Sequence, residues 1–157
     1  MKKLALILTA FLFIVSIPLL FSFIVKKEKC DPDALYEQTL KKLSNFSLLK
    51  DYRVYMKEKK KDAPVETIFS PITLNRGVKY KFLSSQNTGF EGKLIISLYT
   101  NSNNKPDFLF ATNYEKAINK FYESIEFKSE STMNCFIAFS FLDGKEGCGV
   151  CVSSFLK

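Results

Sequence analysis

The chain has 157 residues, 46% hydrophobic and 25% charged, a balance that excludes an intrinsically disordered chain and allows one domain-sized core. Its net charge is +7, but residues 1–29 hold Lys2, Lys3, Lys26, Lys27 and Lys29 against Glu28, a net of +4, so the remainder carries only +3. That excess is too thin for a nucleic-acid partner, which needs a concentrated basic face. The absence of histidine excludes Ser-His-Asp and Cys-His nucleophilic catalysis, His-containing zinc sites and an imidazole base.

Met1-Lys-Lys is followed by 22 uncharged residues, Leu4 to Val25, and then by Lys26-Lys-Glu-Lys29. As a helix this run spans about 33 Å, close to the ~30 Å of a hydrocarbon core. It predicts a membrane-targeting helix, with the membrane as a partner through residues 4–25. Residues 1–29 are then a signal peptide or a transmembrane anchor. A cleaved signal usually has a shorter apolar core and a small-x-small site, and Phe21-Ser-Phe-Ile-Val25 lacks one. Pro18 interrupts the run, which a membrane helix tolerates and which also suits the end of a signal's apolar core. Either way the following domain is expected outside the cytoplasm, in the cell envelope, anchored or secreted after cleavage. Lys27-Glu-Lys ahead of Cys30 does not suit lipidation at that cysteine.

Residues 30–49 read as a short helix and linker. Asp31 can cap, Pro32 suits the first helical position and Asp33 favours the positive end of the dipole. Tyr36, Leu40 and Leu43 follow at helical spacing, predicting a helix over about 32–44. From Tyr52 the period falls to two, with Tyr52, Val54 and Met56 alternating against Arg53, Tyr55 and Lys57. Further strands are expected near 67–74, with Pro71 marking an edge or bulge, and at Val78–Phe82, Lys93–Tyr99 and Phe108–Ala111. Three more follow near Phe121–Phe127, at Cys135–Leu142 and at Cys148–Phe155. Turn chemistry separates them at 75–77, 86–89 and 101–106, residues 113–120 form a polar loop, and Asp143–Gly147 reads as the last hairpin turn.

About eight short strands with no helical pattern between them predict a mainly-β fold over residues 50–157, an antiparallel β-sandwich or jelly roll. The one short helix is expected to cover an end or edge of a sheet, or to space the domain from the membrane. Twelve of the 16 phenylalanines fall after the first 29 residues, in keeping with β structure.

Val78-Lys-Tyr-Lys-Phe82, Lys93-Leu-Ile-Ile-Ser-Leu-Tyr99 before an Asn-rich turn, and Ile125-Glu-Phe127 leading into Ser131-Thr-Met-Asn-Cys-Phe136 together resemble the PPC-like (pre-peptidase C-terminal) β-sandwich pattern of exported bacterial proteins. The run Phe139-Ser-Phe-Leu-Asp-Gly-Lys-Glu-Gly-Cys148 is similar to one shared by small bacterial envelope proteins. The resemblance implies a sandwich with an exported accessory role and no particular activity. Thr132-Met133 stands where that family has Thr-Gly. Tyr99-Thr100 stands where its calcium-binding members have an acid, so no calcium is expected.

The cysteines offer little chemistry beyond cross-linking. Cys148-Gly-Val-Cys151 has CxxC spacing, but only six residues follow, too few for the helix that activates a thioredoxin-like thiol. On a strand the two point to opposite faces. Cys30, Cys135, Cys148 and Cys151 are therefore candidate disulfide cysteines, with three complete pairings open. The hairpin register opposes Cys135 to Ser154, which weakens a Cys135–Cys148 bridge. A bond from Cys30 to a C-terminal-strand cysteine would close a loop above 100 residues and contribute up to ~4–5 kcal/mol.

Glu123 and Glu126 face opposite sides of one strand, and Asp143 and Glu146 share a turn, so neither is a catalytic pair. No phosphate-cradling loop is present. No catalytic, cofactor-binding or metal-binding residue is assigned, and no cofactor is expected. Lys57-Glu-Lys-Lys-Lys61 reads as a solvated loop or a contact for anionic headgroups or an acidic glycan. Tyr52, Tyr55, Tyr80, Tyr99, Tyr114 and Tyr122 are candidates for a sugar platform or for core packing. The expected function is a non-enzymatic accessory or interaction module, with a tyrosine-based carbohydrate-binding module and a carboxylate-based hydrolase as alternatives. An envelope protein or a glycan is the expected partner, met by loops near 57–64, 86–92, 100–106 and 113–120.

Overall fold

The computed structural model describes residues 29–101, 105 and 108–156. One α-helix is described, α1 (Pro32–Leu40). The strands are β1 (Ser47–Met56), β2 (Ile68–Leu74), β3 (Lys79–Gln86), β4 (Leu94–Tyr99), β5 (Leu109–Thr112), β6 (Tyr114–Glu115), β7 (Lys120–Phe121), β8 (Ser124–Lys128), β9 (Met133–Phe141) and β10 (Gly147–Leu156). Single 3-10 turns lie at Lys116–Ile118 and Leu142–Gly144.

The strands form two four-stranded sheets, ordered β1-β10-β3-β8 and β2-β9-β4-β5, and a two-stranded β6-β7 ribbon. Every pairing is antiparallel. The period-two pattern explains the core between the large sheets. Val54 and Met56 of β1, Phe82 of β3 and Cys151 of β10 meet Leu74 of β2, Leu94, Ile96 and Leu98 of β4, and Ile137, Phe139 and Phe141 of β9. Full burial of side chains this size contributes about 1.5–3 kcal/mol each.

A third layer lies outside the first sheet. Asp31 caps α1, its carboxylate accepting from the Ala34 N–H at 3.1 Å, and Pro32 opens the helix where its missing N–H costs nothing. Leu35 and Leu43 pack on Leu83, Val150 and Val152. Strand β10 is thus buried on both faces, with Cys148, Val150 and Val152 under the helix segment and Cys151 in the sandwich core.

Several expectations need correcting. The fold is mainly β but has ten strands in three sheets among the described residues, not about eight behind a membrane-targeting helix. None of the described helices is long and apolar enough to cross a membrane. The expected signal peptide or transmembrane segment, Leu4–Val25, lies outside the described residues, so a membrane partner through residues 4–25 has no support here. The short helix lies on a sheet face, not at an end or edge, and its contacts make it a packed layer, not a spacer.

Asp143–Gly147 is not a hairpin turn either. β9 pairs with β2 and β4, whereas β10 pairs with β1 and β3, so the segment is an arch from one sheet to the other. Asp143 and Gly144 take successive positive φ angles of 56° and 68°, which reverse the chain steeply. A Cβ on Gly147 would lie 2.1 Å from the Phe141 ring, so glycine lets the arch close against the core. Cys135 accordingly faces Ile72 of β2, not Ser154.

Candidate functional site

The chain passes between the sheets again at one end of the sandwich, where β3 gives way to β4 and β7 to β8. An open cleft of about 360 Å³ lies there, at the low end of the ~300–1,000 Å³ typical of small-ligand sites. Its walls come from five stretches of chain: the end of α1, the end of β3, the start of β4, the β5–β6 junction and the segment after β7.

The floor is held by Asn113, which is 2% exposed. Its side-chain carbonyl accepts from the Ile96 N–H at 2.7 Å, and its amide donates to Leu94 O at 3.2 Å and to Ser84 Oγ at 3.5 Å. The side chain extends the β4–β5 ladder past the end of β5 and reaches β3 in the facing sheet. A buried amide is tolerated only when paired in this way.

The β6-β7 ribbon forms one wall. Tyr114 and Phe121 are stacked with ring centroids 4.4 Å apart, and the Lys93 ammonium sits over the Phe121 ring at 5.3 Å. Asn119 adopts a left-handed φ of 50° at the tip and accepts from Tyr114 Oη at 3.2 Å. Tyr122 Oη donates to Glu115 at 2.8 Å, a bond that raises its pKa.

The opposite wall is the end of the helix segment. Lys42 pairs with Glu123 at 3.4 Å, and exposed Gln38 lines the cleft beside it. Gln86 completes the rim, its carbonyl accepting from the Leu94 N–H at 2.8 Å. The arrangement presents amides, hydroxyls, two ammonium groups and one carboxylate on the ends of strands and of the helix segment.

A disulfide joins Cys30 to Cys148 across 118 residues and ties the start of the helix segment to central strand β10. Cys151, three residues on, faces the core as a free thiol, and Cys135 is also free and buried. Burial pushes the Cys135 thiol up to about 11 and the Cys151 thiol higher still, so both are poor nucleophiles. Among the described residues, no group of three or more His, Cys, Asp or Glu is placed to hold a metal ion.

The candidate tyrosines do not form one platform. Tyr52 and Tyr80 are buried in the core, Tyr99 lies 6.1 Å from Phe69, and exposed Tyr55 donates to Glu146 at 2.7 Å. Tyr114 and Tyr122 belong to the cleft-side ribbon. The acids separate too: Glu126 meets Lys81 at 2.9 Å and Lys79 at 3.2 Å, whereas Glu123 meets Lys42. Of the expected recognition loops, 86–92 and 113–120 border the cleft. Loop 57–64 lies elsewhere, with Glu58 paired to Lys145 at 2.8 Å, and residues 102–104 and 106 lie outside the described residues.

No protein-family model matches the chain, and no curated protein matches it significantly. Among solved structures, it is similar to PliG of Aeromonas hydrophila, a periplasmic lysozyme inhibitor of g-type lysozyme. That similarity has 8% sequence identity and a TM-score of 0.46, over 73% of this chain and 90% of the other.

Proposed function

We propose that the chain is a non-enzymatic binding module that works outside the cytoplasm and recognises carbohydrate in the cleft between α1 and the β6-β7 ribbon. The observation that carries this reading is the composition of the cleft. Gln38, Gln86 and Ser85 offer neutral hydrogen-bonding groups there, a set suited to sugar hydroxyls. Its one carboxylate, Glu123, is engaged by Lys42, so the two-carboxylate arrangement of glycoside hydrolysis is not assembled there. The Cys30–Cys148 bond supports an oxidising compartment, where such bonds persist.

The test is hydrogen–deuterium exchange on the full-length, disulfide-intact chain with a panel of soluble oligosaccharides, each recovered and sized by chromatography afterwards. Protection is expected at residues 38–42, 84–94 and 113–123, with the sugars intact. Protection confined to the 57–64 loop would move the site, and shortened sugars would make the protein an enzyme.

A further inference from the structure

Lys93 stands apart from the other cation in the cleft. Lys42 has a carboxylate partner in Glu123, whereas Lys93 has no ion pair among the described residues and is held instead over the Phe121 ring. That ring is stacked on Tyr114, whose hydroxyl is fixed by Asn119. A chain of contacts therefore positions an ammonium group at the mouth of the cleft with its N–H donors unspent, because a π-face attracts the charge without accepting three hydrogen bonds. Such a group is suited to a ligand oxygen that carries negative charge.

We infer that the cleft selects acidic saccharides, with Lys93 receiving a sugar carboxylate while Gln38 and Gln86 meet neighbouring hydroxyl or acetamido groups. This rests on the carbohydrate reading above and names its ligand class. The Gln38 side chain makes no hydrogen bond within the described residues, and the Gln86 side chain spends only its carbonyl, on Leu94, so both side chains retain donors for a sugar. The available space, about 360 Å³, suits one or two rings, the remainder of an oligosaccharide leaving through the open side. Residues 30–157 carry a net charge of +3, a modest positive balance that does not repel an acidic saccharide.

Calorimetric titration of the full-length, disulfide-intact chain tests this with four probes. These are trigalacturonate, a hyaluronan tetrasaccharide, neutral chitotetraose, and acetyl-trialanine, which carries a carboxylate without a sugar. At least one acidic saccharide is expected to bind about tenfold or more tightly than chitotetraose, the effect of one charge-assisted hydrogen bond. Lys93→Gln should abolish that preference and Lys93→Arg should keep it, each variant having the wild-type thermal midpoint. Equal binding of acidic and neutral sugars, or a preference that survives Lys93→Gln, would overturn the assignment to Lys93 while leaving the carbohydrate reading intact. Acetyl-trialanine binding as tightly as the acidic sugars would overturn the saccharide class. No binding of any saccharide would overturn both readings.

Discussion

The two faces of the β1-β10-β3-β8 sheet are covered by different means. Its inner face meets a second sheet through interleaved large side chains, Phe82 against a wall that includes Phe139 and Phe141. Its outer face meets a nine-residue helix too short to be stable alone, and there Leu35 and Leu43 are reinforced by the Cys30–Cys148 bond. Cys148 and Cys151 show the difference within one strand. Three positions apart, one is spent on a cross-link to the helix segment and the other is a buried apolar thiol. A face backed by a sheet holds itself by packing, whereas a face backed by one short helix gains from a covalent tie.

Four substitutions would break or sharpen that contrast. Phe139→Ala, in the inner layer, should cost about 3–5 kcal/mol, read as a drop in denaturation midpoint with protection lost throughout both sheets. Cys30→Ser should cost about 2–4 kcal/mol. Its signature in hydrogen exchange should be local, with α1 deprotected while β3, β9 and β10 keep their slow amides. Cys135 and Cys151 should resist alkylation in the native state of either form. Uniform loss of protection in Cys30→Ser would mean that the two faces unfold as one.

Asn113→Ala falls between these regions, removing the amide that links β4 to β3 at the cleft floor. It should cost about 1–3 kcal/mol and speed exchange at Ile96 without releasing the helix. The smallest effect is expected at the sheet edge. Lys81, then Lys79, hold the Glu126 carboxyl below its usual range. A depressed carboxylate pKa in the folded state contributes stability that is full above the unfolded value and lost as pH falls through the folded one. Urea melts of Glu126→Gln should therefore lie within about 1 kcal/mol of wild type at neutral pH. The two curves should converge below about pH 4.3.

The strand segments were legible because alternation reports burial directly: Tyr52, Val54 and Met56 face the core as their spacing implies, and Pro71 sits in edge strand β2. What local pattern could not convey was which sheet a strand joins. Asp143-Gly-Lys-Glu-Gly147 has the composition of a hairpin turn, yet the same residues build an arch, because the choice depends on where β9 and β10 find partners far along the chain. The cleft was hidden for a related reason. Asn113 reads as a turn former, and its burial follows only from the β4 backbone it completes. The β6 and β7 strands are two residues each, too short to show a period. Lys93 opens an expected strand, and no local pattern announces the Phe121 ring beneath its ammonium group.

In the proposed function, recognition in the cleft depends on a helix-side wall held in place by the Cys30–Cys148 bond. Affinity of the intact full-length chain and of Cys30→Ser for the same acidic oligosaccharide, measured by calorimetry at one temperature and salt, tests this most directly. Cys30→Ser should bind about tenfold more weakly as Gln38 and Lys42 leave the cleft, with the sandwich still folded by circular dichroism. Equal affinity in the two proteins would contradict it.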